Sequence, residues 1–131
     1  MAISDLQMLL ATMEPVLFPG IYGFACVDAS ADLPGGVVPF AMVAEAEGLT
    51  LVAPEAGLAA AGVAFQGGWA RISLTVQSDL AAVGLTAAIA GALTRAGISA
   101  NVIAGYHHDH VFVQAARADD AMAALRTLQG R

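Results

Sequence analysis

The run Tyr106-His107-His108-Asp109-His110 brings three imidazoles and a carboxylate together in one short stretch. Such a group can do three kinds of chemistry. Imidazole and carboxylate can move protons as general acid and base. A carboxylate can complement an ammonium or guanidinium group. Two histidines on one side of a strand can hold a metal ion. A second chemical stretch is the loop Ser78–Thr86, which runs into a helix pattern. The start of a helix offers backbone N–H groups that lack intrahelical partners, and its positive dipole end suits a carboxylate. Gly84 has no side chain to keep a ligand from the main chain. The plain alternative is an ordinary strand-to-helix turn.

The cluster does not converge on one chemistry. In a strand, His108 and His110 share a face and Asp109 points the other way. A zinc site needs at least a third ligand, and Cys26 lies in the other half of the chain. No metal is therefore assigned, and the histidines read as polar lining of a pocket or interface, titrating near neutrality. Asp109 follows a tight turn. It either meets a cationic ligand group or stabilises the turn through its own backbone. Asp79, inside the loop, is the rival acid. Cys26 sits in an apolar strand pattern and reads as a small core residue rather than a nucleophile. No glycine-x-serine-x-glycine stretch and no phosphate-binding glycine fingerprint occurs, so no cofactor is called for.

These residues need elements to hold them. Ile72, Leu74 and Val76 alternate with polar neighbours, which predicts a strand after Trp69. Leu85, Ala88, Ile89, Ala92, Leu93 and Ala96 follow a helical period, with Gly97 as the expected C-terminal cap. Ile98–Ala104 and His110–Ala115 read as strands, and Ala118, Ala121, Met122, Leu125 and Leu128 as the stripe of a last helix. The first half repeats this order incompletely. Ser4 and Asp5 can cap a helix with the stripe Leu6, Leu9, Leu10 and Met13. Ile21–Val27 reads as a buried strand, and Phe40–Glu45 with Leu49–Val52 as a hairpin around Glu47-Gly48. A short helix follows, with Pro54 in its first turn. Where the second half has its long helix, the first has only the loop Asp28–Pro39. The N-terminal helix is expected to fill that vacancy, and Gln66-Gly67-Gly68 to be the hinge between repeats. Trp69 reads as a packing plug beside it.

Four strings carry a resemblance. They are Glu47-Gly48-Leu49-Thr50-Leu51-Val52, Ala82-Val83-Gly84-Leu85-Thr86-Ala87-Ala88, Gly97-Ile98-Ser99-Ala100-Asn101-Val102-Ile103-Ala104-Gly105-Tyr106 and His108-Asp109-His110-Val111-Phe112-Val113. In this order they resemble a bacterial family of short tandem-ACT proteins of unknown function and, more distantly, the cytosolic arginine sensors of animals. The resemblance implies an α+β fold of two ACT-like, ferredoxin-like repeats, residues 1–66 and 67–131, with antiparallel sheets and helices on one face. It also implies that the loop at Val83, Gly84, Leu85 and Thr86 holds an amino-acid ligand, although this loop is longer than the usual aspartate-x-proline-glycine version. In the arginine sensors an aspartate just before an apolar strand contacts the ligand, which carries that role to Asp109. His108 and His110 are grouped with this site.

Composition bounds the rest. The 131 residues are 58% hydrophobic and 12% charged, against about 25% charged in an ordinary soluble domain. So little polar surface points to a homodimer or larger assembly. There is no lysine; residues 1–66 carry seven acids and no base, and residues 67–131 five arginines against four acids. The net charge of -6 argues against nucleic acid, whose phosphates need clustered bases. The apolar stretch Leu80–Thr94 falls short of the roughly 20 residues a membrane span needs. No signal-peptide pattern is seen at the N-terminus, so the chain reads as cytoplasmic. The expected role is a non-catalytic regulatory module for a small molecule, acting through its own assembly or an unidentified protein partner. The alternatives are a small enzyme using His107–His110 and a purely structural interaction protein.

Overall fold

The structure, a computed structural model, describes residues 5–75 and 81–130. Ser4, the last part of the strand expected after Trp69, and Ser78, Asp79 and Leu80 of the candidate loop lie outside the described residues. The chain forms two compact units. A terminal unit joins Met1–Pro19 to Ala70–Arg131, and a central unit is Gly20–Trp69.

In the terminal unit, α1 (Leu6–Thr12) starts where the Asp5 carboxylate accepts a hydrogen bond from the Met8 N–H at 3.0 Å. A short strand, β1 (Pro15–Leu17), follows and pairs antiparallel with the end of β5 (Gln66–Leu74), from Pro15↔Leu74 to Leu17↔Ile72. The helix α3 (Leu85–Arg95) buries Leu85, Ile89, Ala92 and Leu93, four of the six predicted stripe positions. It ends as predicted at Gly97, where the Ile98 N–H bonds the Leu93 carbonyl and the Gly97 N–H bonds that of Thr94. The Arg117 guanidinium adds bonds to the Ala96 and Gly97 carbonyls, a cation at the negative end of the helix. Strands β6 (Ala100–Ala104) and β7 (Asp109–Gln114) form an antiparallel hairpin in register Ala104↔Asp109, and β7 neighbours β5. A 3-10 turn leads into α4 (Ala118–Thr127), which buries Ala118, Ala121, Met122 and Leu125.

One core unites these elements. Leu9 and Met13 of the N-terminal segment, Ile72 and Leu74, Ile89 and Leu93, Val111 and Val113, and Leu125 are all buried in it. The N-terminal helix therefore does not fill the vacancy in the first repeat; it packs with α3 in the other unit. Its stripe is apolar in either place. What decides is that Pro15–Leu17 pairs with β5 immediately after it.

In the central unit the strand order is β3 (Ala41–Glu45), β4 (Gly48–Pro54), β2 (Tyr22–Val27), then the start of β5. All neighbours are antiparallel. The short helix α2 (Glu55–Ala60) buries Leu58 against Ala25, Leu51 and Ala53, with Val37 reaching in from the loop. Two sequence readings change here. Gln66-Gly67-Gly68, expected as a hinge, is the beginning of β5, with Gln66 paired to Phe24 and the Gly68 N–H bonded to the Glu55 carboxylate at 3.1 Å. The hairpin turns at Ala46-Glu47, because Gly48 already pairs with Glu45.

Candidate functional site

Gly84 is the N-cap of α3, at φ +99° and without a side-chain cap bond. That left-handed conformation favours glycine, and a Cβ there would stand 3.0 Å from the Leu6 side chain. The glycine thus has a reason within the fold as well as the one proposed from sequence. Around it, Val83 is 84% exposed and Thr86 is exposed in the first turn. Leu85 is buried in the core, so only its backbone is available to a ligand.

The second part of the site starts at the other chemical stretch. The four residues Gly105–His108 form the turn between β6 and β7, closed by the Gly105 N–H on the His108 carbonyl at 2.9 Å. Tyr106 and His107 meet edge to face at 5.0 Å between ring centres. Asp109 opens β7 on the same side as Val111 and Val113, the side that carries the core. It is only 8% exposed, and its carboxylate makes no hydrogen bond to any described residue. The turn-stabilising role is therefore not what the carboxylate does. Burial pushes its pKa up, and the nearby His108 charge pulls it partly back.

His110 faces the other side of the strand and belongs to a different group. Its Nδ1 lies 2.7 Å from the Ser73 hydroxyl, which also accepts a bond from Arg71 Nε at 3.1 Å. Burial, then the charges of Arg71 and His108, lower the His110 pKa to about 4, so the ring is neutral near pH 7. Arg71 lies over the Phe18 ring at 3.9 Å. Asp109 and His110 are adjacent in sequence but do not converge, and His108 influences both. Ser73 and Arg71 were not singled out from sequence. Their signal was the polar side of the alternating strand, shared with Thr75.

Among the described residues no three His, Cys, Asp or Glu side chains form a group able to hold a metal ion. An open cleft of about 420 Å³ lies in the central unit, lined by Cys26, Asp28, Glu45, Glu47 and Gly48 among others. Cys26, expected in the core, is exposed there, with its sulfur 4.0 Å from the Glu47 carbonyl.

Two models described as ACT domain match the chain, one over residues 1–68 and one over residues 64–127. Among solved structures, a Vibrio cholerae protein of unknown function is 44% identical, with a TM-score of 0.84 over 95% of each chain. The ligand-free regulatory subunit of aspartate kinase from Thermus thermophilus is similar in fold alone, at 12% identity and TM-score 0.63, over 91% of this chain and 98% of that one. Clostridium acetobutylicum aspartate kinase is likewise similar in fold, at 11% identity and TM-score 0.67, over 88% of this chain and 34% of the enzyme. No curated protein matches.

Proposed function

Since the chain belongs to the ACT-domain family, with two such domains in tandem, we propose that it is a non-catalytic regulatory module that binds an α-amino acid in its terminal unit. The ligand carboxylate is received by the backbone at Val83, Gly84, Leu85 and Thr86, where a helix start offers free donors and positive potential. Its ammonium is received by Asp109. One observation carries this reading: Asp109 is only 8% exposed, on the core side of β7, and its carboxylate makes no hydrogen bond to a described residue. Burial raises its pKa, and an acid perturbed in this way is a candidate for meeting a cationic group of a ligand. His108 lines the acid's surroundings. His110, held by Ser73, supports the strand from its other face.

The same family membership and the fold shared with a regulatory subunit of aspartate kinase support regulation rather than catalysis. His107, His108, Asp109 and His110 do not converge on a nucleophile, which disfavours the enzyme reading. We further take the chain to be a homodimer, because charged residues are only 12% of it, and a cytoplasmic protein; no described helix is long and apolar enough to cross a membrane. The repeats are read as residues 1–66 and 67–131. The test is thermal stabilisation of the full chain by each common amino acid in turn. A ligand at a hundred times its dissociation constant adds about 2.7 kcal/mol. If none shifts the melting curve, the reading fails.

A further inference from the structure

The two domains have parted in chemistry. In the terminal unit β7 opens with Asp109; in the central unit the matching strand β4 opens with Gly48. A side chain at Gly48 would stand 2.7 Å from the Val27 carbonyl oxygen and 2.8 Å from the Cys26 sulfur, so no carboxylate fits there. Residues 28–40 hold no helix to set beside α3. The central unit therefore lacks both halves of the site proposed above, and what it offers instead is an edge.

That edge is β3. Among the described residues it pairs with β4 alone, in unbroken register from Ala41↔Val52 to Glu45↔Gly48. Met42 is 54% exposed and Val43 is 49% exposed, and as neighbours in a strand they point to opposite faces. Sheets ordinarily guard such an edge with lysine, proline or a bulge. Ala41–Glu45 has no lysine, no proline and no register shift. An open row of backbone donors and acceptors, flanked by apolar side chains, is what strand addition requires.

Charge selects the occupant. The side chains of Gly20–Trp69 that are charged at neutral pH are Asp28, Asp32, Glu45, Glu47 and Glu55; the unit has no lysine, arginine or histidine. Asp28, Glu45 and Glu47 line the cleft where the β3–β4 hairpin turns. A second copy offering the same edge brings the same acids and no base, which disfavours the encounter. We propose that β3 docks an extended, basic segment of a partner protein, which joins the sheet as an added strand and sets an arginine or lysine at the Asp28–Glu45–Glu47 cleft. Ligand binding in one domain and docking on the other would divide input from output, and the docking stands whether or not a ligand binds. Self-association of the chain then uses another surface.

The experiment uses the full chain and a short blocked peptide alternating arginine and valine, with a glutamate–valine peptide as control. Amide hydrogen exchange and fluorescence anisotropy are read together. The basic peptide should slow exchange across Ala41–Glu45, bind more weakly as salt rises, and lose about fivefold in affinity to Glu47→Lys. Val43→Lys, which guards the edge at an exposed position, should remove the protection. The proposal is overturned if the basic peptide gives no protection or if the acidic peptide protects equally. It is also overturned if β3 is protected without peptide in a dimer that Val43→Lys converts to monomer, since the occupant is then a second copy.

Discussion

Replacing Asp109 by Asn should make the ligand-free protein more stable and the protein deaf to its ligand. The side chain keeps its size and loses its charge. In the folded chain the carboxylate is 8% exposed with no hydrogen bond to a described residue, so its ionised form is penalised by burial. A fully buried unsatisfied acceptor costs about 1–3 kcal/mol, and the Asp109 oxygens, which keep some contact with solvent, bear part of that. Asn remains polar and recovers only part of this, about 1 kcal/mol. Unfolding entropy near 2.1 cal/mol/K per residue, over 131 residues, converts that into a rise of about 4 °C in melting temperature. Saturating ligand should raise the wild-type melting point by about 10 °C, from the 2.7 kcal/mol above, and leave the variant unmoved. The pH dependence has a definite sign. Asp109 has a folded pKa above its ordinary value of 3.8, so it holds its proton more tightly when folded. Its penalty is absent below that ordinary value and grows as pH rises through the folded value. The advantage of Asp109→Asn should therefore vanish in acid and be full at neutral pH. Scanning calorimetry across pH, with and without amino acid, reads all three effects. A variant that melts lower at neutral pH would show that the carboxylate supports the fold. A variant that still responds to ligand would place the site elsewhere.

Three further outcomes follow from single contacts. The His110 pKa lies at about 4, below its ordinary value of 6.5, so the stability it contributes is full above 6.5 and lost as pH falls toward 4; proton NMR should find its titration near there, and His110→Asn should flatten that part of the stability curve. Leu9→Ala removes a fully buried side chain from the terminal unit's core and should cost about 3 kcal/mol in urea denaturation, whereas a loosely attached N-terminal helix would cost almost nothing. Gly84→Ala forces a left-handed φ of +99° and a 3.0 Å approach to Leu6, so it should cost about 1–2 kcal/mol. Adding Leu6→Ala should return the part due to contact, read as the coupling in a double-mutant cycle.

Much of this molecule was legible in its residue order because the signals are local. Period-two alternation pointed to β5, and the period of 3.6 to α3 and α4, since each reports which side of an element is apolar. Alternation also placed Asp109 opposite His108 and His110. Four strings were enough to indicate tandem ACT domains, which the family models then matched. What covers an apolar side is another matter, because it depends on partners distant in the chain. The stripe of α1 reads the same whether it serves one repeat or the other, and only the pairing of Pro15–Leu17 with β5 sends Leu9 and Met13 into the terminal unit's core. Gln66-Gly67-Gly68 has the composition of a hinge, yet cross-strand pairing with β2 makes it a strand. Ser73 meets His110 across 37 positions of sequence, a contact that no local pattern encodes. Asp109 was visible as a candidate from its type and place, but its burial arises from the elements folded around it, which no local pattern encodes.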